Sequence, residues 1–143
     1  MKILVLNGPN INLLGIRQPE IYGRESFADL LALLESTAAE FSITVDQYQS
    51  NHEGCLVDKI QQALGVYDGI VINPAAYTHT SIAILDALKA VAIPAVEVHI
   101  SDPMAREAFR HISYAGMACI HTIRGQGIAG YREAILYLIN HLS

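Results

Sequence analysis

The sequence is poor in charged residues, which make up 16% of its 143 positions, while 52% are hydrophobic. A soluble domain usually carries about a quarter charged residues. No apolar run approaches the roughly 18 residues that a membrane-spanning helix needs, so no membrane association is predicted. The surplus of apolar side chains is therefore expected to be buried between identical subunits.

Basic residues are also scarce, because nine Lys and Arg stand against 14 Asp and Glu and form no run. A net charge of −5 argues against a nucleic-acid-binding surface. The apolar run in the N-terminal segment MKILVLNG is too short for a signal peptide. A cytoplasmic location is therefore expected.

Cysteine is nearly absent, since the only two are Cys55 and Cys119, which have neither metal-ligand nor redox spacing. Both are interpreted as buried thiols in a reducing cytoplasm. No two of the six histidines have the i, i+4 spacing of a helical zinc site. The sequence thus predicts no metal.

Strand-like and helix-like patterns alternate along the chain. Strands are predicted at residues 2–6, 44–49, 69–73, 95–100 and 118–123. Helices are predicted at residues 26–41, 54–66, 81–91 and 128–142. Because parallel strands need crossover connections, this order predicts an α/β fold, a three-layer flavodoxin-like sandwich whose five-stranded parallel sheet has helices on both faces. With no linker or repeat, residues 1–143 are expected to form a single domain.

The two most regular helical patterns predict which side chains face the core. In the first, Ser26 and Asp29 resemble a capping box at the helix start. Its apolar face is predicted to consist of Phe27, Leu30, Leu31, Leu34, Ala38 and Phe41. The inward residues of the second are predicted to be Leu56, Ile60, Ala63 and Leu64. Each helix is therefore expected to cover the sheet with one apolar stripe.

Residues 7–25 break this alternation and are rich in Gly, Pro and Asn. A loop this long inside a compact domain usually has a function. In open α/β sheets, ligands bind at the carboxyl ends of the strands. The polar residues on or after the first, third and fourth predicted strands are Asn7, Asn10, Arg17, Tyr22, Arg24, Asn73, His79, Glu97, His99, Ser101, Arg106 and Arg110. Such a set of amides, histidines and arginines suits a small polyhydroxylated anion.

Residues 125–130 (GQGIAG) match the G-x-G-x-x-G fingerprint of dinucleotide-binding sites and follow a predicted strand. A dinucleotide site also needs a further strand and an acidic residue about 20 positions later. Only 13 residues follow Gly130. A tight turn between a strand and a helix is therefore favoured.

Other sites that occur on this architecture are also disfavoured. Residues 8–15 lack the following Gly-Lys-Ser/Thr of a phosphate-binding P-loop. A phosphoacceptor module needs an Asp at the end of the third strand, where this chain has Asn73. A flavin mononucleotide site needs a loop rich in Ser, Thr or Gly after the first strand, and the G-x-S-x-G nucleophile elbow is absent.

Six segments carry a recognisable pattern over nearly the whole chain. They are residues 7–23 (NGPNINLLGIRQPEIYG), 49–54 (QSNHEG), 72–81 (INPAAYTHTS), 96–101 (VEVHIS), 105–113 (AREAFRHIS) and 125–131 (GQGIAGY). In this order and spacing they resemble the type II 3-dehydroquinate dehydratase family. The family's chain length and flavodoxin-like fold also agree with the pattern of predicted elements.

The resemblance implies a lyase of the shikimate pathway of aromatic amino acid biosynthesis, or of the quinate pathway. It would remove water from 3-dehydroquinate by anti elimination through an enolate, giving 3-dehydroshikimate without a metal, a Schiff base or another cofactor. By resemblance, the catalytic residues are Tyr22 as base, Arg17 as its activator, Asn10 as enolate stabiliser, His99 as general acid and Glu97 as its orienting partner. A free tyrosine has a pKa of about 10, so a tyrosine base needs a nearby cation.

The resemblance also implies the substrate-binding residues. Asn73, His79 and Arg110 would hold ring hydroxyls, and Ile100 with Ser101 would hold the carboxylate. Asp86 would reach the site from a neighbouring subunit, since family members form dodecamers built from trimers. Such an assembly would accommodate the surplus of apolar residues.

The chain departs from the family pattern at two places, the segment 102–104 (DPM) and Leu85 beside Asp86. Two alternatives stay open at this stage. One is a non-catalytic ligand-binding or assembly module with the same fold, and the other is a hydro-lyase that acts on a related cyclic acid. The co-occurrence of Arg17, Tyr22 and His99 argues against the non-catalytic module.

Overall fold

The computed structural model describes residues 1–16 and 18–143. Its strands are β1 (Lys2–Asn7), β2 (Thr44–Gln49), β3 (Gly69–Asn73), β4 (Ala95–His99) and β5 (His121–Arg124). They form one sheet in the order β2-β1-β3-β4-β5, in which every neighbouring pair is parallel. The predicted α/β fold with a five-stranded parallel sheet is confirmed, and its strand order is that of flavodoxin-like proteins.

The helices are α1 (Pro19–Tyr22), α2 (Phe27–Phe41), α3 (Glu53–Gln62), α4 (Ile82–Val91) and α5 (Ala129–Leu142). The predicted capping box starts α2, because Asp29 N donates to Ser26 Oγ at 3.1 Å and Ser26 N donates to Asp29 Oδ2 at 2.8 Å. Ser81 caps α4 in a similar way, since its Oγ accepts from Ile84 N at 3.0 Å. Local hydrogen bonding therefore sets where these two helices begin.

Two predicted core positions are wrong. Leu31 is exposed, because the buried face of α2 is a narrow stripe through Leu30, Leu34 and Thr37. Leu64 is also exposed, because α3 ends at Gln62 and the chain turns away before it can continue the inward face.

The sheet separates two apolar layers. Alternate residues of the central strands face opposite sides, so Ile3 and Val5 lie in one layer while Leu4 and Leu6 lie in the other. Helices α2 and α5 cover the first layer, and α3 and α4 cover the second. The buried helix residues are Leu30, Leu34, Tyr131, Ile135 and Leu138 in the first layer, and Leu56, Ile60, Ile84 and Leu88 in the second. Burial on both faces explains why the sequence of β3 is a continuous apolar run.

Two other expectations need correction. Strand β5 begins three residues later than predicted, because Ala115–Ala118 forms a 3-10 turn. Cys55 is exposed instead of buried, since it precedes the inward-facing Leu56 on α3, while Cys119 is partly buried. Within the described ranges, no helix has the length and apolar character needed to cross a membrane.

The long segment after β1 is more structured than its composition suggested. It contains a 3-10 turn at Ile11–Leu13 and the short helix α1, which Pro19 begins and Gly23 ends with a φ of 80°. Strands β1 and β3 are neighbours, and from them the chain extends to β2 on one side and to β4 and β5 on the other. This topological switch opens a crevice at the carboxyl ends of β1 and β3.

Candidate active site

A cleft of about 600 Å³, part of it open to solvent, lies at the carboxyl ends of β1, β3 and β4. Eight residues predicted from the sequence line it, namely Asn10, Tyr22, Asn73, His79, His99, Ile100, Ser101 and Arg110. Their placement follows from the parallel sheet, which brings the ends of its strands to one edge.

The other three predicted residues are placed differently. Glu97 is 2% exposed and lies behind His99. Asp86 is on the exposed face of α4 and is not part of the cleft lining. Arg17 lies outside the described residues.

Tyr22 is the last residue of α1, and its ring packs against the core on the α2 side of the sheet. Its Oη accepts a hydrogen bond of 2.9 Å from Nη1 of Arg106. The Arg106 guanidinium carbon also lies 5.3 Å from the centre of the Tyr22 ring. A cation therefore contacts the phenol through both its hydroxyl and its ring.

Two arginines of the segment after β4 share one carboxylate. Arg110 Nε donates to Glu107 Oε2 at 2.9 Å, and Arg106 Nε lies 3.9 Å from the same oxygen. Both guanidinium groups line the cleft, while the Glu107 side chain is 54% exposed. Glu107 therefore bridges the two cations and offsets their mutual repulsion.

His99 and Glu97 form a buried pair. Nε2 of His99 lies 3.1 Å from Oε2 of Glu97, which leaves Nδ1 as the ring nitrogen available to a ligand. Glu97 also accepts hydrogen bonds from Thr122 Oγ1 at 2.9 Å and from Ser113 Oγ. Burial raises the pKa of Glu97, but the hydrogen bond and charge of His99 and the two hydroxyl donors outweigh burial and hold this pKa below its ordinary value of 4.5.

His79 has a defined tautomer. Its Nδ1 lies 2.8 Å from the carbonyl oxygen of Ile112, which can only accept, so Nδ1 carries the proton. Burial lowers the pKa of His79 below its ordinary value of 6.5, and the neighbouring His99 and Arg110 lower it further. Neutral His79 therefore presents the lone pair of Nε2 as a hydrogen-bond acceptor.

Asn73 is oriented by a network beneath the cleft. Its Nδ2 donates to Tyr131 Oη at 2.9 Å, and its Oδ1 accepts from Ala75 N at 3.1 Å. The Tyr131 hydroxyl in turn donates to Asn7 Oδ1 at 2.6 Å. Tyr131 is fully buried, and this burial raises the pKa of its phenol, so the hydroxyl stays protonated. One N–H of the Asn73 amide remains for a ligand.

Asn10 lies where β1 approaches β3. Its backbone is left-handed, with a φ of 69°, and its N–H donates to Asn51 Oδ1 at 3.1 Å. Gly8 precedes this turn, and a Cβ at Gly8 would lie 2.3 Å from the carbonyl oxygen of Pro74. Glycine is therefore required at position 8, because any side chain would force the two strand ends apart.

The glycine-rich turn between β5 and α5 supports the segment that follows β4. Gly125 N donates to the carbonyl oxygens of His99 and Ser101, both at 3.2 Å, and Gly127 N donates to that of Ile100 at 3.0 Å. Both glycines have positive φ angles, 77° and 61°. This turn therefore positions the backbone of residues 99–101 at the cleft.

Over residues 1–139 the chain matches the family model described as dehydroquinase class II. The chain belongs to this family. The 3-dehydroquinate dehydratase of a Synechococcus species is 55% identical over 142 residues, which cover 99% of this chain and 97% of the relative. The 3-dehydroquinate dehydratase of Corynebacterium glutamicum strain R is 53% identical over 139 residues, 97% of this chain and 96% of the relative. The type II dehydroquinase from Butyrivibrio crossotus superposes with a TM-score of 0.96 at 52% identity, over 97% of both chains.

In this class II dehydroquinase, the cleft is lined by two titratable groups of different kinds. Tyr22 carries a phenol beside a guanidinium, and His99 carries an imidazole backed by a carboxylate. Side chains of both kinds can act as general acids or general bases. Among residues 1–16 and 18–143, no three His, Cys, Asp or Glu side chains are grouped as metal ligands would be.

The sequence analysis gave no role to three residues that shape this site. Arg106 was only one of the polar residues expected after the fourth strand, whereas its Nη1 contacts Tyr22. Tyr131 and Thr122 were not considered, although both orient predicted site residues from underneath. Tyr131 lies inside the 125–131 segment that resembled the family, so this signal was present in the sequence.

Proposed function

We propose that this dehydroquinase converts 3-dehydroquinate to 3-dehydroshikimate by anti elimination of water through an enolate, with Tyr22 as base and His99 as general acid. The observation that carries the proposal is the meeting of the Tyr22–Arg106 and His99–Glu97 pairs in one cleft of a chain that belongs to this family.

Proton removal beside the ketone would be the task of Tyr22. Arg106 supports this role, because it donates a hydrogen bond to the phenolic oxygen and so can stabilise negative charge there. Arg17 is proposed as a second activating cation. Asn10, at the rim of the cleft, would stabilise the enolate oxygen through a water molecule.

Loss of the hydroxyl would be the task of His99. Because its Nε2 is bound to Glu97, the proton would leave from Nδ1, and the carboxylate would stabilise the imidazolium that precedes the transfer. With an acid and a base supplied by side chains, the proposed elimination uses neither a metal nor a Schiff base.

Substrate binding would use the remaining cleft residues. His79 Nε2 would accept a hydrogen bond from a ring hydroxyl, and the free N–H of Asn73 would donate one. Arg110 would hold a further hydroxyl. The backbone at Ile100 and Ser101, held by the glycine turn, and the Ser101 hydroxyl would bind the carboxylate.

We also propose that the chain assembles into a dodecamer built from four trimers, in which Asp86 of a neighbouring subunit completes the site. Asp86 is exposed on α4 one helical turn after Ile82, which is 55% exposed, so a subunit packed on this face would contact both residues. Other large apolar side chains at the surface are Phe109, Ile112 and Met117. Their burial in an assembly would account for the low charge of the sequence.

The function can be tested by ultraviolet absorbance, because dehydration of 3-dehydroquinate creates a conjugated enone. The purified protein is expected to produce this signal in a metal-chelating buffer and after treatment with borohydride, which would trap a Schiff base. A folded, oligomeric sample that gives no signal would contradict the proposal. Turnover of a related cyclic acid in preference to 3-dehydroquinate would instead support another hydro-lyase.

A further inference from the structure

The Glu97 carboxylate is held by donors from three separate parts of the chain. His99 on the same strand and Ser113 bind Oε2, while Thr122 Oγ1 on β5 donates to Oε1 at 2.9 Å. Glu97 is 2% exposed, so water contributes little to its solvation. A buried carboxylate is stable only when protein groups replace the lost water, and each hydrogen bond to it is charge-assisted.

Thr122 is placed opposite Glu97 by the sheet itself. In the parallel pairing of β4 and β5, Glu97 and Thr122 are register partners. Because neighbouring strands lie about 4.8 Å apart, partner side chains on the same face meet directly. The hydroxyl therefore reaches the carboxylate without bending either strand, and its position is as rigid as the sheet.

Ser113 completes the enclosure from the other side. Its Oγ accepts from Gly116 N at 2.9 Å, which directs the hydroxyl hydrogen towards Glu97. A Cβ at Gly116 would lie 2.8 Å from Glu97 Oε1 and 2.9 Å from Ser113 Oγ. The enclosure therefore has no room for an additional carbon atom, and Glu97 cannot rotate away from His99 without losing two hydroxyl donors.

We propose that Thr122, assisted by Ser113, is a positioning residue for the acid side of the site: its hydroxyl holds Glu97 where the carboxylate binds Nε2 of His99, and thereby directs Nδ1 into the cleft. The link to catalysis rests on the proposed role of His99 as general acid. The hydroxyl is the feature that matters, since valine has the same shape but cannot donate.

The charge balance around Glu97 is consistent with this arrangement. Burial and the Glu97 charge raise the pKa of Cys119 to about 12, so this neighbour stays a neutral thiol. The pKa of His79 is lowered, mainly by burial, so this neighbour is neutral. The Thr122 hydrogen bond lowers the pKa of Glu97, and loss of the hydroxyl is therefore expected to raise this pKa.

The test compares Thr122→Val with Thr122→Ser, which keeps the hydroxyl. Loss of one hydrogen bond to a charged group is expected to lower kcat about tenfold in Thr122→Val and to leave KM within about twofold. The acidic limb of the kcat–pH profile should move to higher pH. Thr122→Ser should restore both kcat and the acidic limb. The matched control is Thr44→Val, on the exposed end of β2, which should change neither kcat nor its pH profile.

A second measurement does not depend on the reaction. The ring-nitrogen resonances of His99, followed by ¹⁵N NMR through a pH titration, report its bond to Glu97 directly. They should change in Thr122→Val and Ser113→Ala and recover in Thr122→Ser. If wild-type protein does not turn over 3-dehydroquinate, the proposed function fails while this arm still tests the positioning role. Unchanged resonances in Thr122→Val, or equal losses of kcat in the Val and Ser variants, would overturn the inference.

Discussion

The two sides of the cleft are built from different kinds of structure. On the base side, Tyr22 ends a four-residue helix and meets Arg106, 84 positions later, through side chains of two segments that lie between strands. On the acid side, Glu97 and His99 belong to a central part of the sheet, and Thr122 is fixed by strand register. The proposed acid is therefore positioned by backbone pairing within the sheet, whereas the proposed base is positioned by side-chain contacts of two connecting segments, among them the bond from Arg106.

This difference predicts that substitutions on the base side change activity with little effect on stability. In Tyr22→Phe, kcat is expected to fall by about 10²–10⁴-fold, the usual contribution of a general base. The melting temperature should change little, because the ring and its packing against the core are retained. Enone absorbance and a thermal melt measure the two effects.

Tyr137→Phe is the matched control for this prediction. Tyr137 is 37% exposed and stacks on His121 at a ring distance of 4.2 Å, away from the cleft. Its variant should retain wild-type kcat. Near-normal turnover in Tyr22→Phe would show that another group removes the proton.

A smaller loss is expected from Arg106→Lys. The lysine keeps the positive charge, but it replaces a planar fork that contacts both the hydroxyl and the ring of Tyr22 with a point charge. We expect kcat to fall roughly 10- to 30-fold, measured by the same assay. Arg132→Lys is the control, since Arg132 pairs with Glu40 at the surface. Equal activities in the two variants would mean that Arg106 contributes only charge.

Substitutions in the buried hydrogen-bond network beneath the cleft should show the opposite pattern, in which stability changes more than activity. Tyr131→Phe leaves Asn7 Oδ1 and Asn73 Nδ2 without their shared partner in a fully buried position. The free energy of unfolding is expected to fall by about 1–3 kcal/mol. KM should rise only a few-fold, because Ala75 N still holds the Asn73 amide.

Urea denaturation measures this loss of stability. Tyr67→Phe, which removes a hydroxyl bonded to Asp46 at the surface, should cost less. If the two tyrosine variants are equally stable, the buried network does not stabilise the fold as inferred.

The smallest expected effect is a loss of stability on acidification. The pKa values of His79 and Glu97 are both lowered by folding, so the unfolded chain binds more protons as the pH falls. The contribution of His79 to the free energy of unfolding is fully present above its unfolded pKa of 6.5, and it declines as the pH drops through the folded pKa. The Glu97 contribution is complete above 4.5 and declines in the same sense at lower pH.

Urea midpoints between about pH 8 and about pH 4 test this sign. His79→Gln should flatten the upper part of the curve, whereas His141→Gln, at an exposed position near the end of α5, should leave the slope unchanged. Stability that rises on acidification would contradict the direction of both pKa shifts.

The sequence predicted the three inner strands well because β1, β3 and β4 are buried on both faces. The continuous apolar run of β3 has the predicted bounds, Gly69–Asn73. The errors concern the ends of elements, such as Leu64, which lies beyond the end of α3, and the border of a buried face, such as Leu31 within α2. Hydrophobic periodicity indicates a helical face but does not reveal where the chain leaves the helix.

The site was predictable in so far as its residues follow strand ends. Asn10, Asn73 and His99 reach one cleft for that reason. The contacts of Arg106 with Tyr22 and of Thr122 with Glu97 were not predictable, because they depend on how distant segments pack and on strand register, and neither leaves a local pattern in the sequence. The prediction for Arg17 stays a prediction, since that residue lies outside the described ranges.

The pairing of Glu97 with Thr122 has a consequence for folding. A slip of β5 by one residue would place His121 or Ile123 opposite Glu97 and turn the Thr122 hydroxyl to the other face of the sheet. The slipped chain would then bury a carboxylate without one of its donors, at a cost of about 1–3 kcal/mol. The Glu97–Thr122 pair therefore also disfavours mispaired strands. The same two side chains serve the proposed chemistry and set the correct register of the sheet.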